Sequence, residues 1–359
     1  MIRTDVRGIC RCLCGITAAV AQLALAGCMS VAPARITADR IDFGWVIAES
    51  WKRQTLLNVV RLRHADAPVF LEVASIINSY SVGGKANASV EAFSHTDPAM
   101  LGLGVEGTWS NTPTVTYQPL TGARFTQSLL RPIPPAALVQ LLQGGWPVEL
   151  VMQTVVSAAN GLRGNAPGEV EQADFGELVQ ALSRMQRAGA LGIRVDAGKN
   201  AGGVVIVLRG GSADVRLARD RDRVVELLGL EPGVGEFEVV YGLVPRHRRE
   251  VAIISRSMLE LMLRLGGGVE LPDAPAGQER AMPFPRQAAD PSSIGLARIR
   301  SGSEAPADAY AAVPYRGHWY WIDDTDVASK RIFTFLLILF SLAETGPSAA
   351  APVVTVPSR

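Results

Sequence analysis

Beyond residue 28 this 359-residue chain has no cysteine: Cys10, Cys12, Cys14 and Cys28 are the complete set. Residues 29–359 therefore contain no internal disulfide, zinc–thiolate cluster or cysteine nucleophile. Lysine is equally scarce, with only Lys52, Lys85, Lys199 and Lys330. Basic and acidic residues nearly cancel, 35 against 34, for a formal net charge of +1. That balance gives no electrostatic basis for a dedicated nucleic-acid binder. The four histidines, His64, His95, His247 and His318, are scattered, and H-E-x-x-H, G-x-S-x-G and S-x-x-K are all missing. Catalytic triads assemble from distant positions, so a hydrolase with a dispersed site stays an alternative, but no catalytic residue, metal ligand or cofactor can be named. What remains is 48% apolar and 19% charged, the composition of a globular chain.

The first 28 residues are built differently from the rest. Arg3, Arg7 and Arg11, partly offset by Asp5, precede an apolar stretch from Leu13 to Ala26. That stretch is shorter than the roughly 20 residues a transmembrane helix needs, and the layout is that of a secretory signal peptide. Leu25-Ala26-Gly27-Cys28 resembles the lipobox of bacterial lipoproteins. The resemblance implies cleavage before Cys28, a diacylglycerol on its sulfur and N-acylation of the new terminus. Two or three acyl chains anchor stably, whereas one is marginal. Met29 replaces the Asp that retains such proteins in the inner membrane, which implies the outer membrane. Three of the four cysteines would leave with residues 1–27, and so would three Arg and one Asp, leaving a formal charge of −1.

The rest of the chain divides by composition into a lipidated tether at 28–42, an N-terminal region at 43–160 and a C-terminal region at 171–359. The Gly- and Pro-bearing stretch 160–170 separates the two regions as a candidate linker. In the first region Ile47, Trp51, Leu56, Val59, Val60 and Leu62 predict an amphipathic helix from about Val46 to Arg63, followed by a strand through Val69, Leu71 and Val73. Leu103, Val105 and Trp109 share a parity, as do Val115 and Tyr117 beyond Asn111-Thr112-Pro113, which predicts a hairpin turning at that tripeptide. A helix is expected after Pro134-Pro135, and a helix or strand over 147–159.

The second region predicts helices near 174–188, 218–228, 257–266 and 326–343. Its expected strands lie at 191–195, 204–208, 237–241, 296–300, 309–314 and 318–322. Helices and hairpins interleave without regular βαβ alternation. The expected fold class is therefore α+β, with mixed, mostly antiparallel sheets and interspersed amphipathic helices.

Several local patterns carry chemistry. Gly102-Leu103-Gly104-Val105-Glu106-Gly107 matches G-x-G-x-x-G, but a dinucleotide site needs a helix next, and the chain here continues as strand. Asp323, Asp324 and Asp326 could collect Ca²⁺, yet lack the glycine turn and closing Glu of a calcium loop. Capping of the following helix is the expected role. Arg219 to Arg223 alternate in sign and read as a self-compensating helix face. Ile332 to Leu342 is almost wholly apolar and reads as a central buried helix, with a helix buried against a partner protein as the alternative. Tyr315, Arg316, His318, Trp319 and Trp321 form the densest aromatic cluster of a chain only 6% aromatic, a candidate platform for a sugar ring. On a strand, Trp319 and Trp321 would face away from His318 and Tyr320, and one of those faces belongs to the core.

Three segments carry a wider resemblance. They are Leu57-Asn58-Val59-Val60-Arg61-Leu62-Arg63 ahead of a Pro-Val-Phe-Leu strand, Tyr117-Gln118-Pro119-Leu120-Thr121-Gly122, and Tyr315 to Asp324 followed by Ser329-Lys330-Arg331. They are similar to an uncharacterised family of proteobacterial lipoproteins, over most of the mature chain. The resemblance implies an envelope address and carries over no assigned activity, cofactor or catalytic residue. The resulting expectation is a non-enzymatic outer-membrane lipoprotein facing the periplasm, anchored to the bilayer through acylated Cys28 and acting as scaffold or accessory subunit beside an envelope protein partner. The alternative is a peptidoglycan or polysaccharide binder.

Overall fold

Apolar residues at helical spacing and at alternating spacing are mixed along this chain, and both kinds find the same core. The computed structural model describes residues 31–91, 100–164, 173–196, 203–209, 214–272, 281 and 297–343. In chain order these form α1 (Val31–Arg63), β1 (Leu71–Glu91), β2 (Met100–Pro119) and α2 (Gly122–Phe125), which runs into a π-helical turn at Thr126–Leu130. Next come α3 (Pro135–Gln143), α4 (Val148–Val155), β3 (Val156–Ala159), β4 (Leu162–Arg163) and α5 (Ala173–Arg187). They are followed by β5 (Leu191–Asp196), β6 (Gly203–Leu208), α6 (Val215–Leu227), β7 (Glu236–Tyr241), β8 (Glu250–Ser255) and α7 (Met258–Gly266). The last elements are β9 (Arg300–Gly302), β10 (Ala311–Tyr315), β11 (His318–Ile322) and α8 (Val327–Ala343). The fold is α+β.

Three sheets organise these elements. The largest has the order β4-β3-β8-β7-β6-β5, antiparallel except where β7 and β8 run parallel. A second has the order β10-β11-β9, and the third is the hairpin β1-β2 alone. Strand β8, Glu250–Ser255, was not expected from the sequence. It is buried on both faces, so its Val-Ala-Ile-Ile run lacks the polar alternation of a half-exposed strand.

The 160–170 division falls beside the large sheet, and strands from both sides of it join that sheet through β3 and β8. Asn160-Gly161, read above as the start of a linker, is a tight hairpin turn with φ of 45° and 85°. Asn-Gly is favoured there because both central residues need positive φ. The Asn160 side chain accepts from Ala252 N at 2.6 Å and donates to Leu228 O at 2.7 Å, stitching the turn to β8 and the end of α6.

One contiguous core receives Phe175, Leu178 and Met185 of α5, Phe237 of β7, Met258 and Met262 of α7, and Phe333, Phe335 and Leu336 of α8. Phe335 packs on Trp146 with ring centroids 4.9 Å apart, and Trp51 and Phe70 both lie against Phe340. The apolar run 332–342 is thus a buried helix. Among the described residues no helix is long and apolar enough to cross a membrane.

Two expectations are corrected along the first region. The helix expected from about Val46 already covers the described residues from Val31, so the tether residues from 31 onward are helical. The Asn111-Thr112-Pro113 turn does not exist. β2 runs straight through it, with Asn78 opposite Pro113, and its partner is β1 rather than its own continuation. Pro113 is tolerated because, among the described residues, β2 has a single partner strand, leaving the other edge without a ladder to break.

Candidate functional site

The aromatic cluster sits at a hairpin turn. Arg316 and Gly317 adopt φ of 48° and 82°, which lets β10 reverse into β11 in two residues. The register pairs Tyr315 with His318, Pro314 with Trp319, Val313 with Tyr320 and Ala312 with Trp321. Period-two alternation therefore puts Tyr315 and His318 on the face of Tyr320 and Ile322, both fully buried, and puts Trp319 and Trp321 on the other. The five candidate residues are thus divided between two faces instead of forming one platform.

Most of their polar groups are committed within the chain. The Tyr315 hydroxyl donates to the Asp66 carboxylate, and Arg316 donates to the same carboxylate at 2.8 Å. The Arg316 guanidinium also lies 5.5 Å from the Tyr315 ring centroid. His318 Nδ1 is 3.3 Å from its own hairpin's Arg316 carbonyl. His64 completes the joint, with Nε2 at 3.1 Å from the buried Tyr320 hydroxyl. Trp321 lies over Gly302 of β9, so closely that a Cβ there would come within 3.1 Å of the indole. Trp319 faces the same side, half-buried.

Sequence reasoning missed the partners, His64 and Asp66, which end α1. Asp66 N–H reaches back to Arg61 O at 2.9 Å and Ala65 takes φ 59°, a left-handed helix stop built without glycine. The hydrogen bond from Tyr315 holds the Asp66 carboxyl below its ordinary range, against a smaller opposing effect of desolvation and with help from Arg316. Burial, and then Asp66, pushes the Tyr315 phenol upward. The arrangement is a clamp between the end of α1 and the β10–β11 hairpin.

The acidic cluster behaves as a capping assembly. Asp326 accepts from Ser329 N at 3.0 Å and from its hydroxyl at 2.7 Å, at the start of α8. Burial alone would raise its pKa, but these two donors bring it below the ordinary value. Asp323 accepts from Thr325 N and Oγ1, and Asp324 pairs with Lys330 at 2.6 Å. On α6 the expected self-compensating face is met in part, by Arg221 with Asp222 at 3.7 Å and Arg223 with Glu226 at 2.9 Å. Asp220 and Arg223 also pair with Arg184 and Glu177 of α5, at 2.7 Å each, because the two helices pack side by side. These pairs are bidentate, the geometry Arg offers and Lys does not.

Two further charged groups are buried. Arg256, 1% exposed, donates to the carbonyls of Thr154 and Val156 at 3.0 and 2.5 Å, at the end of α4. Desolvation pushes its guanidinium down to about 9, with Glu260 opposing. Glu250, 3% exposed, accepts from Arg246 N at 2.7 Å and lies 3.3 Å from His247 Nε2. Among the described residues, this is a His–carboxylate pairing of the kind a dispersed hydrolase would need. It is formed within one four-residue stretch, where the loop carrying Arg246 and His247 enters β8 at Glu250, and the described partners of Glu250 serve to close that loop. A void of about 40 Å³ beneath the large sheet is lined by Leu178, Leu182, Phe237 and Val251 among other apolar groups. Such a lining keeps a small void dry and offers a substrate no polar group.

Two side-chain amides on α1 were also missed, and they set the course of the chain beyond it. Asn58 donates to Val69 O at 2.8 Å and accepts from Val69 N at 2.9 Å. One turn earlier, Gln54 does the same for Leu71 at 3.2 and 2.9 Å. Spaced i, i+4 on the helix and i, i+2 on the strand, the two amides imitate a neighbouring strand. From this rail the β1–β2 hairpin departs, with 20 register pairs. Cys28 and the rest of the Leu25-Ala26-Gly27 motif lie outside the described residues. No family model matches the chain, nor does any curated protein or solved structure.

Proposed function

We propose that this protein is an outer-membrane lipoprotein, held by acylated Cys28 with its body in the periplasm, and that it is a non-enzymatic scaffold or accessory subunit of an envelope complex. The observation that carries this reading is the β1–β2 ladder, which no third strand joins among the described residues. A two-stranded hairpin is marginal alone, and its outer edges offer rows of backbone groups to another chain. The commitment of Tyr315 and Arg316 to Asp66 supports the same reading, since it leaves Trp319 and Trp321 as the remainder of the glycan platform.

The test is crosslinking in intact cells, purification from detergent-solubilised outer membrane, and mass spectrometry of what accompanies the chain. A stoichiometric assembly supports the proposal, and recovery as an isolated monomer sinks it. Cys28→Ser should release an unacylated protein or stall its processing. Unchanged acylation in that variant would remove the lipid anchor from the proposal.

A further inference from the structure

The β1–β2 register sorts residue types with unusual consistency. One parity carries Val82 opposite Trp109, then Val105, Leu103, and Val90 opposite Leu101, with only alanine and glycine between them. The other parity carries Ser81 opposite Ser110, Lys85 opposite Glu106, then Asn87 and Ser89. A strand that alternates apolar and polar residues has one face against something apolar and one against water. Among the described helices and strands, none beyond the hairpin's own two strands makes more than slight contact with β1 or β2.

The dimensions of the sorted stretch suit a bilayer. From Tyr80 to Val90 it is 11 residues per strand, and a membrane-spanning β-strand needs about 9–11. At about 3.4 Å per residue and a tilt of about 40° it rises roughly 26 Å, close to the apolar band of roughly 25 Å on outer-membrane barrels. Tyr80 and Trp109 stand at the end nearer the body, where such barrels carry an aromatic girdle.

The helix α1 points the same way. Gln54 bonds to Leu71 and Asn58 to Val69, so β1 advances as α1 recedes toward its N-terminus. From Gln54 back to Val31, at 1.5 Å per residue, is about 35 Å. From Leu71 forward to the Tyr80–Val82 level is about 31–37 Å at strand spacing. Residue 31, three residues after Cys28, therefore lies about as far from this joint along the helix as the sorted stretch lies along the strand. On this outer part of α1, Ile41, Trp45 and Val46 remain 64%, 71% and 64% exposed.

We propose that the β1–β2 hairpin spans the outer membrane as one share of a β-barrel closed by several copies of this chain. A single hairpin cannot do so, because every backbone group in the hydrocarbon must be paired and open edges are not tolerated. Its free edges pair with those of neighbouring copies, the Val82–Trp109 face meets acyl chains, and the Lys85–Glu106 face lines a polar interior. The smallest membrane barrels have about eight strands, so at least four copies are needed. This deepens the reading above by naming the partner as this chain itself, and it rests on the outer-membrane address.

The experiment uses the full-length acylated protein, returned from detergent to vesicles of phosphatidylethanolamine and phosphatidylglycerol. Acylation consumes Cys28, so single cysteines introduced as Ala86→Cys, Asn87→Cys, Ala88→Cys and Ser89→Cys can each carry one environment-sensitive fluorophore. The proposal expects quenching by nitroxide-labelled acyl chains at 86 and 88 to exceed that at 87 and 89 several-fold, with aqueous iodide showing the reverse order. It also expects amine crosslinking in detergent to trap oligomers of four copies or more. Iodide quenching at all four positions, or a crosslinked species no larger than a dimer, would overturn it. If those results came with a stoichiometric foreign partner, the barrel would fall and the accessory-subunit reading would survive. An unlipidated monomer would overturn both.

Discussion

The body of this protein and its β1–β2 hairpin are stabilised by different things. In the body, helices α4 to α8 and the six-stranded sheet bury Phe175, Phe237, Phe333 and Phe335 to 1% exposure or less, and paired Arg–carboxylate contacts fasten the rim. Among the described residues the hairpin has the longest strands, 21 and 20 residues, and only each other as partners. A fold can be locally complete in one region and need an outside surface in another.

The comparison breaks if the body does not behave as a core. Phe335→Ala, at 0% exposure against Trp146, is expected to cost about 3–5 kcal/mol of unfolding free energy, read from a denaturant midpoint. A loss no larger than that of an exposed substitution would show that α8 is not central.

The joint between the regions comes next. Asn58 is fully buried and satisfies both backbone groups of Val69. Its replacement by Ala should cost about 1–3 kcal/mol, the usual penalty for orphaning such groups. It should also speed amide exchange at Val69 and Leu71 ahead of the body. Uniform exchange would mean that the rail does not orient the hairpin.

A smaller effect is expected at the clamp, and it depends on pH. The Asp66 carboxyl titrates below its ordinary range in the folded protein, so its contribution is present above the unfolded value of about 4 and fades as pH falls through the lower folded one. Wild-type melting temperature should therefore drop more steeply than that of Asp66→Asn as pH falls below about 4. Parallel curves would show that Tyr315 and Arg316 do not depend on the charge of Asp66.

The smallest effect sharpens the contrast most. Leu103→Ser, in the middle of the sorted stretch, should leave the melting temperature of the detergent-purified body unchanged within error. A drop comparable to that of Asn58→Ala would place Leu103 in the body's own core.

Much of the body was legible because its signals are local. Phe175, Leu178, Val179, Leu182 and Met185 recur at helical spacing and are all buried on α5. Ser257 caps α7 by accepting from Glu260 N, as the Ser-x-x-Glu pattern implies. Asp326 caps α8. The misreadings share a cause. Asn160-Gly161 was absorbed into a Gly-rich stretch although it carries a hairpin signature, and Asn111-Thr112-Pro113 carried a turn signature while lying inside a strand. Turn propensity is a preference of a few residues, and a ladder of 20 pairs overrides it. The aromatic cluster was visible as a composition, but its partner Asp66 lies 249 residues from Tyr315.

By itself the sequence determined the class of the fold, most helix positions and the alternation that makes the hairpin two-faced, because periodicity and capping are properties of neighbours along the chain. Only the tertiary structure decided which strand answers β2, where Tyr315 and Arg316 spend their hydrogen bonds, and that Gln54 and Asn58 hold Leu71 and Val69 against the N-terminal helix. Those are choices among partners far apart in sequence, and they are settled by which contacts bury apolar surface and leave no polar group unpaired.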